Sequence, residues 1–227
     1  MTNTFRENNV NLTDNPARLF TERGQTYVRF VRSVGYPQGL RSFFMASTLL
    51  RSGLRILDAG CGSGIITLAL REALLTGGCS LGPIHCFDLT AAMLDQFRGS
   101  LQAQAIDGVE LVQADVLRMD TLPSSWRNYD LIVSASMLEY VPRHEFIRAL
   151  NSLRSLLNKD GSLLLFITRE NSIMRLLIGR WWQSNAYTLE ELRKSFSLAG
   201  FSTVTLRKFP FLFSYLNTWG YIVEARG

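Results

Sequence analysis

The run Arg55-Ile56-Leu57-Asp58-Ala59-Gly60-Cys61-Gly62-Ser63-Gly64 limits the folds open to this chain more than any other stretch. It reads as a short buried strand that ends on an acid and breaks into a glycine-rich turn opening a helix. A turn without Cβ atoms lets backbone approach a ligand closely, and a helix starting beyond it aims unpaired N–H groups at the same space. The pattern therefore predicts an α/β fold with a crevice for a nucleotide-like ligand. Free N–H groups would favour a pyrophosphate there, whereas Asp58 sets a negative charge in the same turn.

A dinucleotide fingerprint needs G-x-G-x-x-G, and aligning its first glycines on Gly60 and Gly62 puts Ile65 in the third place, where the match fails. As D-x-G-x-G-x-G the segment fits through Asp58, Gly60, Gly62 and Gly64. In that form it resembles motif I of the class I S-adenosylmethionine-dependent methyltransferases of small-molecule type. A carboxylate suits that cofactor, which carries an ammonium and a cationic sulfur. From the residues alone, a glycine-rich turn of any other α/β protein stays open.

The remaining chain alternates strand and helix patterns. Ile65 to Leu75 reads as the first crossover helix, closed by Gly77 and Gly78. Ile84-His85-Cys86-Phe87-Asp88 reads as a strand with an acid at its carboxyl end, the place where a β-α-β unit sets a carboxylate for ribose hydroxyls. Asp88 is the expected ribose ligand, with a helix N-terminal acid ahead of Thr90 as the alternative. Val109 to Gln113 and Tyr129 to Ser134 follow as strands. Pro142 is expected to open an amphipathic helix to about Leu157, Lys159-Asp160-Gly161 a turn, and Ser162 to Ile167 a fully buried strand. Thr188 with Glu191 has capping-box spacing, and strands are expected near Thr203–Arg207 and Trp219–Ala225. Asp14-Asn15-Pro16 could cap a helix running to Val34, and a second helix is expected from about Leu40 to Leu50.

The expected architecture is a doubly wound, Rossmann-like, seven-stranded, mostly parallel sheet with helices on both faces and an N-terminal helical cover. Residues 1–50 form the cover and 51–227 the core, with 169–187 a substrate-covering insertion. The resemblance implies cofactor contacts from Asp58, Gly60, Cys61, Gly62, Gly64, Asp88, Leu89, Met93, Asp115, Val116 and Ser134. Among these, Leu89 or Met93 would line the adenine, or simply belong to the core, and Asp115 would meet the adenine amino group. Ala135 to Val141 resembles motif IV, with Tyr140 where many relatives carry a histidine. That leaves Glu139, Tyr140 and His144 as groups able to accept or position a proton.

The net charge of +5 invites a nucleic-acid reading, yet the basic residues are scattered without a run of four. Ser134-Ala135-Ser136-Met137 lacks the acid or amide and paired prolines of DNA amino-methylases, which argues against DNA; RNA stays open. Cys61, Cys79 and Cys86 lack paired metal spacing, and His85 and His144 are the only histidines, so no metal is expected. Free thiols, no signal peptide and no twenty-residue apolar run predict a cytoplasmic protein. Ile173 to Trp182, apolar with two arginines and adjacent tryptophans, is expected to cover an apolar acceptor, touch a membrane surface, or pack as an ordinary helix. Arginines 29 and 32 and Tyr27 could meet cofactor or acceptor, or belong to a solvated helix face.

The leading expectation is a methyltransferase for a small, apolar or amphipathic acceptor with an oxygen or nitrogen nucleophile. The alternatives are a catalytically silent S-adenosylmethionine-binding subunit or regulator, and a dehydrogenase, which Ile65 disfavours.

Overall fold

The computed structural model describes residues 16–170 and 184–227. Two helices, α1 (Pro16–Ser33) and α2 (Tyr36–Met45), precede β1 (Ile56–Ala59), α3 (Ile65–Thr76), β2 (Ile84–Asp88), α4 (Ala91–Ala103) and β3 (Val109–Gln113). Then come β4 (Tyr129–Ala135), α5 (Phe146–Ser155), β5 (Leu157–Thr168), α6 (Leu189–Leu198), β6 (Thr203–Arg207) and β7 (Gly220–Arg226). The strands form one seven-stranded sheet in the order β3-β2-β1-β4-β5-β7-β6. Only β7 runs against its neighbours β5 and β6. This is the expected doubly wound sheet.

The strands are apolar throughout because both faces are covered. Alternate residues of one strand enter different cores. Leu57 and Ala59, with Leu163, Leu165 and Ile167, pack with Leu150 and Leu153 of α5 and Leu192 and Phe196 of α6. On the other face Ile56, Leu131, Val133, Leu164 and Phe166 pack with Leu40 and Phe43 of α2, Leu70 and Leu74 of α3 and Phe97 of α4. β1 lies between β2 and β4, so the chain leaves it in opposite directions. Open sheets bind ligands outside the carboxyl ends of strands at such a switch point.

His85 is a satisfied core histidine. Its Nδ1 is 2.7 Å from the Tyr129 hydroxyl, and its ring stacks on Trp126 at 4.4 Å. The Thr188–Glu191 capping box opens α6, with the Thr188 N–H donating to Glu191 Oε2 at 2.8 Å and the Glu191 N–H to Thr188 Oγ1 at 3.2 Å. All three cysteines are free thiols.

Several boundaries differ from expectation, among them the end of the second helix, which stops at Met45 rather than about Leu50. The second helix starts at Tyr36, four residues early, because Pro37 sits in its first turn where a missing N–H costs nothing. Pro142 opens a 3-10 turn, Arg143–Glu145, before α5, which stops at Ser155. Leu157 already belongs to β5, and Lys159-Asp160-Gly161 is a bulge rather than a turn. Tyr129 pairs with Leu157 but Leu131 with Ser162, so the extra residues of β5 protrude at the surface. The expected Asp14-Asn15 cap and the Ile173–Trp182 segment lie outside the described residues.

Candidate active site

β1 delivers Asp58 and then the glycine turn. Gly60, Gly62 and Gly64 all have positive φ, and at Gly60 (+76°) a Cβ would collide with the Met137 side chain. At Gly64 it would collide with the Phe97 ring, so the α3 N-terminus can approach α4 only without a side chain there. The turn is pinned to β2. Both the Gly60 and the Cys61 N–H donate to the Phe87 carbonyl at 2.8 and 3.0 Å, and the Gly64 N–H donates to the Cys61 carbonyl at 2.9 Å.

Asp88 completes the pinning. Its Oδ2 accepts from the Gly62 N–H at 2.8 Å and its Oδ1 from the Thr90 N–H at 2.8 Å. Thr90 caps α4 in position only, since its side chain makes no cap hydrogen bond. These bonds revise the expectation of a turn with free N–H groups. Four of its N–H groups are spent inside the protein, which removes the cradle a pyrophosphate would need.

The charges agree. Burial raises the Asp88 carboxyl against the lowering pull of the Thr90 and Gly62 N–H groups. Burial pushes Asp58 up to about 7, and the charge of Asp88 adds to that rise. Asp58 Oδ2 accepts from Thr67 Oγ1 at 2.5 Å, while Oδ1 is buried without a partner. A buried carboxylate oxygen without a donor, close to a second carboxylate, calls for a cation and repels a phosphate. The residues present therefore fit S-adenosylmethionine, whose ammonium and sulfonium are positive.

A cavity of about 300 Å³ lies over the turn. Its walls include Gly60, Cys61, Gly62, Asp88, Leu89, Met93, Asp115 and Val116 from the expected cofactor set. Asp115 also accepts from the Leu117 N–H at 2.9 Å. Asp58, Gly64 and Ser134 are not on these walls. Asp58 is only 2% exposed, Gly64 faces Phe97, and Ser134 is buried with its hydroxyl unpartnered. α1 and α2 close the cavity through Phe20, Tyr27, Val31 and Tyr36. α1 can lie this close because Gly24 rests on Met93 Sδ, where a Cβ would come within 2.6 Å.

A second cavity, about 90 Å³, shares Tyr27, Val31, Tyr36, Ser136 and Tyr140 with the first. Phe30, Phe166, Phe209, Leu216 and Trp219 are among its remaining wall residues, and Glu139 supplies its carboxylate. Glu139 is 3% exposed. Its Oε2 accepts from the Thr168 N–H at 2.8 Å and its Oε1 from Thr168 Oγ1 at 2.9 Å. Burial raises it to about 7 in spite of those two donors.

The three tyrosines at the junction behave differently. Burial, the first cause in each, raises Tyr27 to about 12 and Tyr36 and Tyr140 well above the ordinary phenol value, with the Glu139 charge adding to all three. They stay neutral near pH 7 and are able to donate hydrogen bonds. Of the three expected proton-handling groups, Glu139 and Tyr140 meet at this junction and His144 does not. The His144 side chain is 81% exposed, 3.9 Å from Glu145, and on neither cavity wall.

Tyr36, Ser136, Thr168 and the late aromatic residues escaped the sequence reading. Ser136 holds φ +50° just past β4 and hydrogen-bonds Tyr27. Strained backbone of that kind clusters at functional sites but leaves no mark in residue type. Among the described residues no three His, Cys, Asp or Glu side chains group as metal ligands.

Residues 56–161 match the family model described as a methyltransferase domain. With the sheet order and the site above, this match supports a class I S-adenosylmethionine-dependent methyltransferase, with S-adenosylmethionine as the cofactor. The dehydrogenase alternative is thereby set aside. Over 136 residues the chain is 28% identical to carboxy-S-adenosyl-L-methionine synthase of Stutzerimonas stutzeri (strain A1501), a match spanning 59% of this chain and 54% of that protein. The chain thus covers about half the length of that relative. It is 23% identical over 220 residues to demethylmenaquinone methyltransferase of Staphylococcus aureus (strain MRSA252), covering 85% of this chain and 87% of that one. In fold it resembles magnesium protoporphyrin IX methyltransferase from Synechocystis PCC 6803, solved with bound SAH, at TM-score 0.68 and 20% identity over 93% of this chain and 98% of that one.

Proposed function

We propose that this chain transfers a methyl group to a small, apolar or amphipathic acceptor through an oxygen or nitrogen nucleophile. The observation that carries the reading is the aromatic second cavity, which adjoins the first and shares Tyr27, Tyr36, Ser136 and Tyr140 as common wall. A ligand held there meets apolar and aromatic walls and one carboxylate. Glu139 repels an acceptor that carries its own carboxylate or phosphate, and favours a neutral hydroxyl or an amine.

S-adenosylmethionine, when bound, supplies a methyl group already activated by its cationic sulfur. The protein then has to align the acceptor and exclude water. In this reading Asp88 holds the ribose hydroxyls, Asp58 balances the positive charge from behind the turn, and Asp115 meets the adenine edge. Leu89 and Met93 give the base its apolar bed. α1 and α2 serve as the N-terminal cover, and their aromatic side chains keep water from the junction. Tyr27 and Tyr140, neutral and fixed in the walls, donate hydrogen bonds that orient the acceptor. Glu139, raised to about 7, is the nearby group able to take a proton from an acceptor hydroxyl at neutral pH.

Incubation with methyl-labelled cofactor and a panel of phenols, hydroquinones and aromatic amines tests the proposal. Label should enter one of these classes, and Glu139→Gln should lower kcat at least tenfold for a hydroxyl acceptor while cofactor affinity holds. If the panel and hydrophobic cell extracts stay unlabelled while calorimetry shows tight cofactor binding, the silent-subunit reading replaces this one.

A further inference from the structure

The segment between β6 and β7 carries the most exposed large apolar side chains of the described residues, Phe211 at 91% and Leu212 at 80%. They are adjacent, at the start of a 3-10 stretch, Phe211–Thr218. The loop that holds them is braced. The Phe209 N–H donates to Asn217 Oδ1 at 2.9 Å, Asn217 Nδ2 to the Ser214 carbonyl at 3.0 Å, and the Tyr215 hydroxyl to the Val34 carbonyl at 2.8 Å. Two apolar side chains are therefore kept in water by a built turn, against the usual tendency to bury them.

The surroundings are basic. No acid occurs between Glu22 and Asp58, or between Glu191 and Glu224. These two stretches are far apart in the chain, yet the Tyr215–Val34 bond and the stacking of Phe30 on Trp219 at 5.6 Å join them. The junction sets α1, which carries exposed Arg29 and Arg32, beside the loop that follows exposed Lys208. Arg169, whose N–H bonds the Trp219 carbonyl, adds a cation at one edge, and Glu170 an acid. The same segment contributes Phe209 and Leu216 to the wall of the second cavity.

We infer that this face docks on an anionic lipid surface, with Phe211 and Leu212 entering the headgroup boundary and Arg29, Arg32 and Lys208 meeting lipid phosphates. Amphipathic surfaces bind membranes through apolar insertion combined with attraction of basic side chains to anionic lipids. The orientation would set the mouth of the apolar cavity against the bilayer, so that an amphipathic acceptor enters from lipid without crossing water. That last step rests on the proposed function; the docking itself does not.

Co-sedimentation of the full chain with vesicles of phosphatidylglycerol and phosphatidylcholine, and of phosphatidylcholine alone, tests the inference. The wild type should pellet with the anionic vesicles and be released by high salt. Phe211→Ser/Leu212→Ser should lower the apparent partition coefficient at least tenfold, with unchanged melting temperature because both side chains are exposed. Wild type remaining in the supernatant overturns the proposal, as does equal binding by the double variant. A dimer seen by light scattering and broken by the double variant also overturns it, since a second copy then covers the face. Methyl transfer to a water-soluble acceptor is measured on the same samples. Vesicle binding without transfer refutes the function and leaves the docking surface standing, whereas transfer without vesicle binding does the reverse.

Discussion

Replacing Asp88 by alanine is the sharpest perturbation of the cofactor site. In the wild type its two oxygens each accept one backbone N–H, from Gly62 and Thr90, both at 2.8 Å. Each oxygen keeps lone-pair capacity toward the cavity, where the two ribose hydroxyls are placed in the reading above. A hydrogen bond to a charged group contributes about 1.5 to 3 kcal/mol. Loss of two such bonds to the ribose weakens cofactor binding by about 3 to 6 kcal/mol, or roughly a hundredfold at the least. Asp88→Ala also releases the Gly62 N–H, so the turn loosens in the free protein and the observed loss includes that reorganisation. Asp88→Asn separates the two effects. It keeps one oxygen for the turn and loses the charge, and should fall between wild type and alanine. Calorimetric titration with S-adenosylhomocysteine is the assay, beside a melting curve for each variant. A dissociation constant within threefold of wild type for Asp88→Ala, in a folded protein, refutes the ribose assignment.

Gly60→Ala should destabilise the fold by roughly 1 to 2 kcal/mol from its left-handed backbone alone, and further through the Met137 collision, as a lower melting temperature with weakened cofactor binding. Tyr129→Phe leaves buried His85 Nδ1 without its 2.7 Å partner, and urea unfolding should show a loss of about 1 to 3 kcal/mol. Glu139 is raised from 4.5 to about 7 in the folded chain. The folded state then binds more protons than the unfolded one between those values, so stability falls as pH rises through that window and levels off above about 7. Urea midpoints at pH 5 and pH 8 should differ less in Glu139→Gln than in wild type; Asp58, raised to about 7 with the same sign, keeps some slope in the variant. An unchanged difference removes Glu139 as a buried acid. Cofactor affinity should rise between pH 6 and 8 as Asp58 ionises beside a cation, and Asp58→Asn should flatten that rise in calorimetry.

Much of the architecture could be read locally. Strand β6 falls on Thr203–Arg207 as expected, and the capping box at Thr188 fixes the start of α6. Both rest on neighbours in sequence. Misplaced boundaries came from tertiary pairing overriding local signals. Lys159-Asp160-Gly161 has the composition of a turn, but β5 continues through it because Tyr129 pairs with Leu157 on the far side of the bulge.

Residue order alone determined the D-x-G-x-G-x-G turn at Asp58, the acids closing β1 and β2, and the apolar runs that demand cover on both faces of a parallel sheet. Those features arise from side-chain type at short spacing, where period and turn chemistry act directly. The folded molecule decided the rest. It spent the N–H groups of the turn on Phe87 and Asp88, hid Asp58 behind it, and sent His144 into solvent. It also built the second cavity from α1, α2, β5, the Phe209–Leu216 loop and β7. A cavity wall assembled from residues more than a hundred positions apart has no period in the sequence. The upward shift of the Glu139 pKa likewise exists only once the folded chain has buried the carboxyl away from water, against the lowering pull of the two Thr168 donors.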